Sequence, residues 1–328
     1  GVEKRSKVRS RIVADQLVKL IKEADHVVIM GHRMSDLDAI GSAEGVLRIC
    51  KICDVPAVIA VRRDATLAGS LINALIAAGQ EDDFIDPKGA LPIISQRTLC
   101  IVVDTYQLGL VESREILEKC GKVAVIDHHR KGVGFIEKAD LVCHEPYASS
   151  ASELVTEFLQ YVGDRDDKPN RIEAEGLLSG IMLDTRDFTL HTGVRTFEAA
   201  AALRRYGAET EHVRQLFDVS MVEYTTKARL VSEAQMYRGC AITVSGEVAP
   251  EARVAIAQAA NDLLTIQNVE ASFVAVQVGG GVNISARSLG AVNVQVIMEA
   301  LGGGGHQTMA AAQLKHITPE AARSRIQT

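Results

Sequence analysis

Four short stretches of this chain place acidic and imidazole side chains directly after apolar runs. The stretch Gly31-His32-Arg33-Met34-Ser35-Asp36-Leu37-Asp38 crowds one histidine and two carboxylates behind the run from His26 to Met30. Asp104 closes the run Thr98 to Val103, Asp127-His128-His129 closes Lys122 to Ile126, and Asp184 closes Gly180 to Leu183. Carboxylates this close repel and raise one another's pKa, whereas a divalent cation reverses the effect and holds them ionised. Each stretch alone also has an ordinary reading: Asp36 or Asp38 as a helix N-cap, Asp104 as a turn residue, Asp184 as a solvated helix end. Together they supply mixed nitrogen and oxygen donors that suit Mn2+, with Mg2+, Co2+ or Fe2+ left open, and they point to two-metal chemistry.

Those residues can meet only if the elements before them lie side by side. The apolar runs at 26–30, 57–61, 98–103 and 122–126 are continuous and rich in β-branched residues, the texture of strands covered on both faces. Helical spacing separates them, beginning with Ile12, Val13, Leu17, Leu20 and Ile21. The pattern predicts an α/β fold with a doubly wound, mostly parallel sheet, in which ligands bind at the carboxyl ends of the strands. Helices are expected at 150–162, 172–184 and 194–206, with Gly207 as a stop. From Tyr237 the texture changes to short alternating runs around an Ala-rich helix at 250–264, predicting a smaller α+β domain. The boundaries so read are 1–209, a helical connector 210–235, and 236–328. Gly279-Gly280-Gly281 reads as a hairpin turn.

A chain of 328 residues suits two domains, and 47% hydrophobic with 24% charged residues matches a globular protein. A net charge of −6 argues against a general binder of long nucleic acid, and 4% aromatics without Trp against a stacking platform for single strands. No run of 18 apolar residues and a charged start predict no direct membrane contact. Six scattered cysteines predict reduced thiols and a cytoplasmic setting, and the lone pair Cys50-Lys51-Ile52-Cys53 is read as incidental. His26, His144, His191, His212 and His316 are read as structural or solvated.

With these motifs in view, the sequence resembles the DHH/DHHA1 phosphoesterase superfamily over nearly its whole length. The resemblance implies one Mn2+ held by His32, Asp36 and Asp104, and a second held by Asp38, Asp104, His128 and Asp184, two ions per chain with Asp104 bridging. It implies that Asp104 and His128 are catalytic, that Asp127 orients a histidine, and that His129 faces the substrate phosphate. Ile284-Ser285-Ala286-Arg287-Ser288 and Leu301-Gly302-Gly303-Gly304-Gly305-His306 match the second-domain signature, so Arg287, the four glycines and His306 are expected at the substrate phosphate. The stretches 30–41, 145–150 and 186–197 resemble the membrane-anchored cyclic di-AMP phosphodiesterases, which implies hydrolysis of a cyclic dinucleotide to linear pApA by a homodimer. A nanoRNase or 3′,5′-bisphosphate phosphatase acting on short linear oligonucleotides, a short linear dinucleotide included, is the alternative. A nucleotide-sensing module without turnover is a lesser one, because no expected ligand is missing.

Overall fold

The computed structural model describes residues 7–129, 134–218, 220–248, 253–305 and 307–327. Two compact units meet in sequence between Asp218 and Val219, inside the segment read as a connector. In the first, the strands are β1 (His26–Met30), β2 (Ala57–Ala60), β3 (Phe84–Ile85), β4 (Thr98–Val103), β5 (Lys122–Asp127) and β6 (Leu141–His144). The helices are α1 (Lys7–Glu23), α2 (Leu37–Ile52), α3 (Gly69–Ala77), α4 (Pro87–Ala90), α5 (Arg114–Lys119), α6 (Ala151–Leu159), α7 (Arg171–Thr185), α8 (Val194–Arg205) and α9 (Thr210–Gln215).

The six strands form one parallel sheet in the order β3-β2-β1-β4-β5-β6. The order reverses between β1 and β4, where the carboxyl ends of the strands leave a crevice. Alternate residues feed two separate cores. Val27, Ile29, Leu99, Ile101 and Val103 join one; Val28, Met30, Cys100 and Val102 join the other. Burying both faces is why these strands read as unbroken apolar runs, each large side chain contributing about 1.5–3 kcal/mol. The sheet as read from the sequence thus stands, with β3 and β6 added at its edges.

α8 is tied to the body by a buried ion pair: Arg195 donates from Nε and Nη2 to Glu157 at 2.8 Å each, and Nη2 also reaches Ser10 Oγ at 3.0 Å. Cys50 and Cys100 are fully buried; burial raises the Cys50 thiol, and a hydrogen bond with Cys120, together with burial, raises that of Cys100, as expected of inert core cysteines.

The second unit comprises α10 (Met221–Ser232), β7 (Gln235–Tyr237), β8 (Cys240–Glu247), α11 (Arg253–Leu263), β9 (Ala271–Val278), β10 (Gly281–Ser288), α12 (Val294–Ala300), β11 (Gly304–Gly305), β12 (Met309–Lys315) and α13 (Pro319–Gln327). Its sheet runs β11-β12-β10-β9-β8-β7, antiparallel except for β8 with β9. Gly279 and Gly280, both at positive φ (+54° and +80°), turn β9 into β10 as the hairpin reading requires. No helix among the described residues is long and apolar enough to cross a membrane.

Glu44 lies on α2 with 0% exposure, and neither carboxylate oxygen has a hydrogen-bond partner. Burial, with Asp83 and Glu173 nearby, pushes its pKa from an ordinary 4.5 up to about 8. The stability it allows while protonated is present below the unfolded-state value and is lost as pH rises toward the folded one. Glu44→Gln should therefore melt progressively above wild type between pH 5 and 8 in thermal unfolding, the gap levelling off beyond. A difference between the two proteins that does not change with pH would show that folding leaves the Glu44 pKa at its ordinary value.

Candidate metal centre

His32 enters the crevice from a loop pinned on both sides: Arg33 N–H donates to Leu110 O (2.8 Å) and Glu112 N–H to Gly31 O (2.9 Å). Asp36 does cap α2, its Oδ1 accepting from the N–H groups of Asp38 (3.0 Å) and Ala39 (3.1 Å). Its other oxygen faces His32 Nε2 at 3.8 Å. The capping reading and the ligand reading are therefore compatible, one oxygen for each.

Asp104, the residue after β4, has φ +58°, a left-handed conformation that non-glycine residues rarely adopt. Its N–H is held by Ile126 O at 2.9 Å. So turned, the carboxylate faces both ways: Oδ2 lies 3.4 Å from His32 Nε2 and Oδ1 lies 3.3 Å from His128 Nε2. Asp38 is fully buried and anchored at the start of α6, accepting from Ala151 N–H at 2.7 Å and Ser152 N–H at 2.8 Å. Asp184 sits in the last turn of α7, the wrong end of a helix for an anion without a cation beside it. Its Oδ2 is 2.9 Å from His128 Nε2.

Donor atoms of His32, Asp36 and Asp104 converge as one group, and those of Asp38, Asp104, His128 and Asp184 as a second, each set lying within 4.8 Å and Asp104 common to both. These are the residues that the motifs nominated. Asp104 Oδ1 and His128 Nε2 are buried yet make no properly angled hydrogen bond, although they are 3.3 Å apart. That geometry fits atoms sharing a cation better than atoms sharing a proton. Burial raises Asp38, and Asp104 and Asp184 raise it further. For His32, burial is outweighed by Asp104 and Asp36, which push it up to about 11. A cation in the group would remove the strain on both.

His129 stands beside the second group. Asp127, wholly buried, meets its Nδ1 at 2.7 Å, and the imidazole remains 41% exposed. Burial lowers its pKa, but Asp127 and Asp104 more than offset this and raise it. Two supports were not read from the sequence. His144, taken there as structural or solvated, reaches the His129 carbonyl through Nε2. The amides that hold Asp38 belong to a helix start signalled only by Ser150 followed three residues later by Glu153.

In the second unit, the Arg287 guanidinium is buried and donates to Asn261 Oδ1 (3.0 Å), Ser285 Oγ (3.0 Å) and Ala286 O (2.9 Å). Gly303 and Gly305 pack on the backbone of β12, a Cβ on either falling within 2.5 Å of it. His306 lies outside the described residues.

A fold and centre of this kind define a class. The chain belongs to the DHH/DHHA1 family: residues 26–181 match the model of the DHH family N-terminal domain and residues 248–327 that of the DHHA1 domain. It is 47% identical over 97% of its length to the cyclic-di-AMP phosphodiesterase GdpP of Geobacillus thermodenitrificans, covering 49% of that protein. Against the cyclic-di-AMP phosphodiesterase PdeA of Listeria monocytogenes it is 42% identical over 97% of its length, again covering 49%. The chain thus spans about half the length of these relatives. Among solved structures, an exopolyphosphatase-related protein from Bacteroides fragilis has the same fold, with a TM-score of 0.81, 20% identity, and coverage of 96% of both chains.

The position of Asp38 depends on a close approach. A Cβ on Gly180 would lie 2.3 Å from Ser152 Oγ, 2.7 Å from Asp38 Oδ1 and 2.8 Å from Asp38 Cα. Gly180→Ala must push Asp38 aside, so Mn2+ affinity in a calorimetric titration should fall by roughly 10–100-fold, the scale seen when the support of a ligand is disturbed. An unchanged titration in a folded variant would remove Asp38 from the centre.

Proposed function

We propose that this protein is a metal-dependent phosphodiesterase that hydrolyses cyclic di-AMP to linear pApA. The carrying observation is that donor groups on either side of Asp104 share its carboxylate, the arrangement two-ion phosphoryl chemistry needs. The substrate is supported by the 47% and 42% identity to relatives named for that activity.

On this reading His32, Asp36 and Asp104 hold one Mn2+, and Asp38, Asp104, His128 and Asp184 the other, imidazole and carboxylate donors matching that metal. Bound ions of this kind polarise a phosphoryl oxygen and lower the pKa of water. The chain's own contribution is position and charge. His129, held by Asp127 at Nδ1 and part-exposed, donates to a phosphoryl oxygen as negative charge builds there. In the second unit Asn261 and Ser285 fix the plane of the Arg287 guanidinium, which suits it to grip a phosphate oxygen pair.

Cyclic di-AMP, cyclic di-GMP, pApA and pAp, incubated side by side with manganese-loaded protein and resolved by chromatography, test this. Cyclic di-AMP should disappear fastest, with pApA as product, and His129→Ala should lower kcat by roughly 10²–10³-fold, the size of losing one transition-state donor. Rapid cleavage of pApA or pAp with the cyclic substrate intact would make the protein a nanoRNase-type enzyme instead.

A further inference from the structure

Beside the centre, within the first unit, lies a cleft of about 620 Å³ lined by His144, Pro146, Tyr147, His191, Thr192 and Gly193. Its volume is within the range of small-molecule sites, roughly 300–1,000 Å³. Neither wall supplies a donor to the two groups that meet at Asp104. Both walls nevertheless grow out of the centre. The first leaves β6, where His144 pairs with Asp127 and bonds to the His129 carbonyl, while Glu145 N–H donates to Asp127 O at 2.9 Å. The second begins two residues after Asp184.

That second wall is held in an uncommon conformation. Arg186, Asp187 and Phe188 have φ of +47°, +54° and +62°, and His191 has +48°. Successive left-handed non-glycine residues are unfavourable by roughly 1–2 kcal/mol each and persist only where the surroundings impose them. Here Leu190 N–H donates to Thr185 O (2.7 Å), Phe188 N–H donates to Thr185 Oγ1 (2.9 Å), and Phe188 stacks on Phe197 with ring centroids 5.5 Å apart. The strained turn leads to His191 in the lining of the same cleft as Tyr147, whose residue is 61% exposed.

We propose that this cleft is the subsite for the nucleobase next to the scissile phosphate, with the Tyr147 ring as the stacking face and His191 also in its lining. The assignment rests on the phosphodiesterase reading, since a phosphate at the centre is what places a base here. Flat aromatic faces bind bases by stacking, and Tyr147 is the exposed aromatic ring that lines this cleft.

Binding of AMP and of ribose 5-phosphate to the manganese-loaded protein, measured by calorimetry, separates the base from the phosphate. AMP should bind at least about tenfold more tightly than ribose 5-phosphate, the scale of one base–aromatic stack. Tyr147→Ala should erase that difference, Tyr147→Phe should keep it, and His191→Ala should reduce it. The subsite is overturned if AMP gains nothing over ribose 5-phosphate, if Tyr147→Ala binds AMP as wild type does, or if it weakens both ligands alike. Turnover is scored separately: a protein that cleaves no cyclic di-AMP but binds AMP through Tyr147 loses the proposed substrate and keeps the base site.

Discussion

Like charge in a buried place is the constraint on which this structure depends. Four carboxylates, from Asp36, Asp38, Asp104 and Asp184, converge with two imidazoles at the switch point of a parallel sheet. Without cations such a cluster would protonate or spread apart. The fold instead holds it with devices that would be unfavourable elsewhere: a left-handed Asp104, a carboxylate in the last turn of α7, and two α6 amides committed to Asp38. The sheet order sets the site's location, because His32 and Asp104 follow the two strands between which the order reverses.

Much of this could be read from residue types. Strands buried on both faces leave continuous apolar runs, so β1, β2, β4 and β5 and the acids behind them were legible, as was the nomination of all six donors. Short edge strands were not: β3 has two residues, and β6 alternates in burial over only four. β12 was missed for another reason. Its buried positions are Ala310, Ala312 and Leu314, and an Ala-rich stretch carries little β signal. The helix α10, in the stretch read as a polar connector, also buries Leu230 in the second core.

At the site, the sequence left choices that geometry resolves. Asp36 was weighed as cap or ligand, and its two oxygens divide the tasks. The glycine cluster was read for its access to phosphate, but Gly303 and Gly305 are also required where the chain crosses β12. His144 carried no motif, since a histidine acting through a neighbour's carbonyl leaves no spacing pattern.

The most direct test of the account is a count of ions. Metal analysis of manganese-loaded, desalted protein should find two ions per chain, and Asp104→Ala, which removes the carboxylate common to both groups, should lose both. An Asp104→Ala protein that retains two ions would contradict the shared role of this residue and the centre built around it.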